Sequence, residues 1–266
     1  MRSLRPLNVA RGRYRGRVTH TAAGYAAAVD RLDLLTQRFA SAAERVSDWG
    51  APVPACPRWT ARKLVVHLGL IHAWAASAIG ASHAPPEAQF DLGDAPLPTW
   101  YRARAGELIA TLRASAPDST AWTLWGERVA AFWARRQGHE TIVHTFDLAQ
   151  SLGAGAGEPR ADLWSVPEDL ALDGIREVVE GFYPRQVRLG RSAGLPGVVR
   201  IEVRTDDGAL LATLDVPARD GSSDGPLLGT LRGSASQLYL GLWGRAPLPG
   251  ADAELAEAIH AARLTP

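Results

Sequence analysis

The sequence predicts an α+β protein, a four-helix bundle followed by a small α+β unit, and three observations carry that reading. Between about residues 21 and 152, four stretches space their apolar residues at helical intervals and are separated by proline- and glycine-containing breakers. Beyond residue 198 the pattern shifts to short β-branched runs with a turn signal between them. Between these regions Gly153-Ala154-Gly155-Ala156-Gly157-Glu158-Pro159 is an abrupt change of composition, the expected domain boundary. The organisation expected is a basic extension over 1–18, a bundle over 19–153 and an α+β unit over 160–266.

The elements follow in order. Ala26, Val29, Leu32, Leu35, Phe39 and Ala43 form one helical stripe, giving a first helix from about Thr21 to Val46. Asp48-Trp49-Gly50-Ala51-Pro52 ends it. Thr60 is a suitable N-cap for a second helix reaching about Ser82. Pro85, Pro86, Pro96 and Pro98 mark a long connection to a third helix over about Thr99 to Ser115. After a turn bearing Trp122 and Trp125, a fourth helix runs from about Arg128 to Leu152. Pro167 to Tyr183 reads as a further helix. Val198 to Arg204 and Leu210 to Val216 read as a hairpin turning at Asp206-Asp207-Gly208. Leu227 to Gly233 is a candidate third strand, Ser234 caps a helix through Trp243, and a last helix covers about Ala251 to Arg263.

Bulk properties narrow the function classes. The chain has 266 residues, 46% hydrophobic and 21% charged, with a net charge of +1. These are globular values, and the near-zero charge gives no general reason to expect nucleic-acid or membrane binding. No apolar run reaches the ~18–20 residues that span a bilayer. The basic N-terminus (Arg2, Arg5, Arg11, Arg13, Arg15, Arg17) lacks a signal-peptide apolar core, so a surface extension is the expectation. Cys56 is the single cysteine, which rules out an intrachain disulfide and leaves a cytoplasmic setting open. Lys63 is the single lysine among 29 basic residues, a bias typical of GC-rich genomes such as those of actinobacteria.

The chemistry concentrates in Arg135-Arg136-Gln137-Gly138-His139-Glu140-Thr141-Ile142-Val143-His144-Thr145-Phe146-Asp147. Glu140 and His144 are four residues apart, so they share one helix face. With His67 from the second helix they would make a two-histidine, one-carboxylate set able to hold a divalent metal with an open position. Ligand type favours zinc. Spacing alone does not join His67 to the other two, and a Glu–His pair at this interval is often only a solvated surface pair. Asp147, three residues after His144, is placed to orient an imidazole, and Arg136, one turn before Glu140, to pair with it. His139 and His72 lie off the ligand faces. Trp74, seven residues after His67, shares its face and should line a pocket. Cys56 is expected to be a bystander thiol.

Three segments carry a family resemblance. Val53-Pro54-Ala55-Cys56-Pro57-Arg58-Trp59-Thr60 leading into Leu64-Val65-Val66-His67-Leu68-Gly69, the segment Arg136 to Asp147, and Gly233-Ser234-Ala235-Ser236-Gln237-Leu238 through Leu242-Trp243-Gly244-Arg245 resemble, in the same order, the mycothiol-dependent maleylpyruvate isomerase family. The resemblance implies a DinB-like bundle holding a divalent metal, usually zinc, through His67, Glu140 and His144. It also implies a C-terminal domain like a sterol carrier. Arg245 matches the family's Trp-Gly-Arg motif, which gives it two readings: a grip on a substrate carboxylate or on the thiol cofactor, to which Trp74 would contribute, or a structural salt bridge. Arg232 is a weaker candidate. The expected activity is a metal-dependent isomerase or S-transferase. Mycothiol, bound as a thiolate, would attack a small electrophile, with Asp147 and Arg245 assisting. A thiol-independent metal hydrolase or lyase, and a non-catalytic small-molecule-binding protein, are the alternatives.

Overall fold

The computed structural model describes residues 21–152, 164 and 166–266. The basic extension over 1–18 and the boundary at Gly153 to Pro159 lie outside the described residues. The protein is α+β, with the helices of its first part forming a bundle and a three-stranded sheet in its second.

Helix α1 (Ala22–Ala43) starts where the Thr21 hydroxyl accepts from the Gly24 amide, and it buries Tyr25, Val29, Leu32, Leu35 and Phe39 along one side. Helix α2 (Ala61–Ala78) is capped by Thr60 as its sequence predicts. It stops short of Ser82 because residues 120–122 bond its end: Trp122 N–H donates to Ala78 O, and Gly80 N–H donates to Thr120 O. Gly80 leaves the helix at φ +85°, a left-handed turn suited to glycine. Helices α3 (Leu97–Arg113) and α4 (Ala130–Leu152) complete the bundle. Helix α1 packs on α4 and α3, and α2 packs on α3 and α4.

His72 is a fully buried polar residue of this bundle. Its Nδ1 lies 2.8 Å from Gln137 Oε1 and its Nε2 3.2 Å from the Tyr101 hydroxyl. A neutral ring that donates through Nδ1 and accepts through Nε2 satisfies both. Burial pushes its pKa down to about 4 from 6.5. The unfolded chain therefore binds a proton at His72 that the folded one refuses. This site costs nothing above pH 6.5 and costs stability progressively as pH falls towards 4. Integrated over that window the loss is about 3 kcal/mol. Urea unfolding at pH 7 and pH 4.5 should show a pH sensitivity that a His72→Asn variant lacks. Equal sensitivity in both proteins would refute the assignment.

In the second part, α5 (Glu168–Arg176) runs into a π turn (Glu177–Phe182) and then α6 (Tyr183–Arg188). The single helix expected over Pro167 to Tyr183 is thus longer and interrupted. Pro184 has no amide hydrogen, and its ring collides with the carbonyl four residues back in an ordinary helix. The wider turn precedes it, and Tyr183 N–H bonds Val178 O, five residues back. A Cβ on Gly181 would come within 2.4 Å of the Trp125 ring, so only glycine lets that bundle tryptophan rest against the π turn.

Strand β1 (Val198–Arg204) pairs antiparallel with β2 (Leu210–Val216) and parallel with β3 (Leu227–Gly233), giving the order β2-β1-β3. Helix α7 (Ala235–Leu242) opens with the Ser234–Gln237 capping box, and α8 (Ala253–Ala262) is capped by Asp252. Sheet residues Val199, Ile201 and Leu231 share one apolar cluster with Ile175, Tyr239 and Leu242, and with Leu35, Ile142 and Val143 of the bundle. The sheet unit is therefore seated on the α1–α4 side of the bundle by continuous hydrophobic burial. Among the described residues no helix is long and apolar enough to cross a membrane.

Candidate metal centre

Helices α2 and α4 face each other and bring three side chains together. His67 Nε2 and His144 Nε2 each lie 3.3 Å from Glu140 Oε1. One donor atom from each of the three residues falls within 4.8 Å of the others. Trp59, just before the Thr60 cap, lays its ring 4.5 Å from that of His67 and 5.9 Å from that of His144. It walls both imidazoles on one side.

Each of Glu140 and His144 is held from behind. Glu140 Oε2 accepts from Arg136, one helical turn earlier, which leaves Oε1 turned to the histidines. Arg136 is buried and also binds Glu177 of the π turn, and its guanidinium lies over Phe182, 4.8 Å from the ring centroid. Burial would push the Glu140 carboxyl up, but Arg136, His144 and His67 together hold it well below the usual carboxylate range. Behind His144, Nδ1 donates to Asp147 Oδ2 at 2.9 Å. Asp147 in turn accepts from Arg245 Nε at 3.0 Å and from its terminal nitrogen at 2.9 Å. Burial opposes a charged His144, yet Asp147 and Glu140 raise its pKa to about 9. Burial likewise opposes a charged Asp147, and His144 and Arg245 hold its pKa below the ordinary aspartate value.

The site fits a divalent metal by the chemistry of its donors. Asp147 accepts a hydrogen bond from His144 Nδ1–H, so in the neutral ring Nε2 presents its lone pair to the centre. Glu140 Oε1 is aimed at the same point, and its partner oxygen is satisfied elsewhere.

A cavity of about 580 Å³ opens onto the triad. Trp74 and Arg245 line it, as do Cys56, Trp133, Phe182 and Arg185. Arg245 lines the cavity while paired with Asp147. Its remaining contacts are Trp243 O at 2.7 Å and Cys56 Sγ at 3.6 Å. Burial pushes the Cys56 thiol up, Asp147 and Glu140 add to that, and Arg245 only partly offsets it. A thiol held protonated is a poor nucleophile. His139 turns away from the triad to Asp173, at 2.8 Å, and His72 stays in the bundle core. Arg232 pairs with Glu202 on the sheet.

Two contributors escape sequence reasoning: Glu177 and Phe182, neither of which carries a local signal. Trp59, one of the bundle tryptophans expected as core or pocket wall, is found as that wall.

A family model described as the mycothiol maleylpyruvate isomerase N-terminal domain matches residues 26–149, and one described as the MDMPI C-terminal domain matches residues 169–258. The chain belongs to the mycothiol maleylpyruvate isomerase family. No curated protein and no solved structure matches it. The matched segments of this family contain His67, Glu140 and His144 in the first and Arg245 in the second. The family's two parts thus meet at the Asp147–Arg245 pair.

Proposed function

We propose that the protein is a metal-dependent enzyme that uses mycothiol, or a small thiol like it, to isomerise an electrophile or to form an S-conjugate with it. The observation that carries this reading is the convergence of two imidazole nitrogens and one carboxylate oxygen at a cavity, in a member of this family. His67, Glu140 and His144 would hold the metal, and zinc suits the donor set. Bound there, the metal would supply the Lewis acidity that lets a thiol lose its proton near neutral pH.

The chain's own residues do the rest. Asp147 fixes the tautomer and tilt of His144, and Arg245 fixes Asp147. Arg136 keeps the Glu140 carboxylate charged and aimed. Trp59 shields the imidazoles from water on one side. Thiolate addition to an activated cis alkene, rotation and elimination give cis–trans isomerisation. Displacement or ring opening gives a stable thioether instead.

Purified protein should take up about one zinc per chain, and a His144→Ala variant should lose it, with at least a hundredfold fall in affinity. Metal analysis and competition against a chelator read this directly. Absence of uptake in the unaltered protein would sink the reading. Turnover persisting without any thiol would instead make water the nucleophile.

A further inference from the structure

We infer that the cavity is built to receive an acceptor with an apolar, fused-ring body, laid along the seam between α2 and α4 with its reactive carbon at the triad. The inference rests on the reading above for where the reacting carbon lies, and on separate observations for the body.

The seam has a direction. On α2, His67, Ile71 and Trp74 follow one another on the same face and all line the cavity. On α4, Glu140 and Trp133 do the same in the opposite sense. His67 meets Glu140 at one end, and Trp74 meets Trp133 edge-on at the other, with ring centroids 5.4 Å apart. Seven residues separate the ends on each helix, a span of about 10 Å at the helical rise. That is roughly the length of two or three fused rings. Leu124 also lines the cavity.

The far end offers almost nothing polar. Trp74 Nε1–H is spent on Pro85 O at 3.1 Å and Trp133 Nε1–H on Trp122 O. Gln137 gives its carbonyl oxygen to His72, and Arg136 is held by Glu140 and Glu177. A polyhydroxylated ring placed here would give up its water for no new hydrogen bonds, at a cost for each hydroxyl. A flat hydrocarbon would gain burial and edge or face contact with Trp74, which the fully buried Trp133 backs. The polar body of a sugar-bearing thiol fits better beside Arg58 and Arg185. Both line the cavity and make no ion pair among the described residues.

The test uses 2-naphthol, phenol and myo-inositol as unreactive probes, with binding read by calorimetry and by quenching of tryptophan fluorescence. Naphthol should bind at least tenfold more tightly than phenol, and inositol should not displace it. Trp74→Ala and the milder Ile71→Asn, each checked for an unchanged circular dichroism spectrum, should each weaken naphthol at least tenfold. Leu34→Ala, an exposed position outside the cavity, should hold naphthol affinity within twofold. Naphthol binding that ignores both seam substitutions overturns the inference, as does displacement by inositol. Failure to bind zinc with naphthol binding intact would count against the metal reading alone.

Discussion

Replacing Arg136 with methionine lowers stability by about 3–5 kcal/mol, the usual result of removing one partner from a buried ion network. Arg136 is 2% exposed and neutralises both Glu140 and Glu177, and Glu177 is 1% exposed. Methionine fills the space beside Phe182 and Trp243 but leaves Glu177 without its cation and Glu140 with the His144 imidazolium alone in place of Arg136. For a chain of this size the melting temperature should fall by roughly 10 °C. The cause can be separated from lost packing: Arg136→Met combined with Glu177→Gln should recover part of the loss, because one of the stranded charges is gone. Denaturant unfolding of the metal-free proteins at pH 7 measures all of this. A single-variant loss below about 1 kcal/mol would show that the network carries little of the fold.

Metal affinity should climb steeply with pH. In the metal-free protein His144 keeps its proton up to a pKa of about 9, and ligation needs Nε2 neutral. Each metal bound below that pH therefore expels a proton, and affinity rises about tenfold per unit, or about a hundredfold between pH 7 and pH 9. Stability of the metal-free protein runs the other way. The folded pKa of His144 lies above its unfolded value of 6.5, so its stabilising contribution is complete below pH 6.5 and disappears as pH rises through 9. Asp147→Asn removes one of the two groups that hold the proton and loosens the ring. It should flatten the pH dependence between 7 and 9 and cost about 10–100-fold in affinity. Chelator competition at pH 7, 8 and 9 decides the matter, and a flat profile for the unaltered protein would contradict the arrangement around His144.

The fold was readable where the physics is local. The helical stripe from Val29 to Phe39, the Thr60 and Ser234 caps and the turn at Asp206-Asp207-Gly208 all depend on neighbours a few residues away, and each appears where the sequence puts it. The Glu140–His144 pair and the help from Arg136 and Asp147 were readable for the same reason, since all lie on one helix. His67 was not joined to them by spacing, only by family resemblance, because 73 positions separate it from Glu140. The π turn has no periodic signature of its own, and the stretch from Pro167 to Tyr183 reads in sequence as one ordinary helix. Glu177 therefore entered the site unannounced, 41 positions from the arginine it neutralises.

The hydrogen bonds between Asp147 and Arg245 join residues 98 positions apart. A ribosome adding about 5–20 residues per second needs some 5–20 s to travel from one to the other. Throughout that interval α4 already carries Glu140, His144 and Asp147, but the guanidinium that steadies Asp147 does not yet exist. The three triad side chains are thus made well before the arginine that completes their support. A metal held there would meet a looser grip on the nascent chain before Arg245 is added than after it.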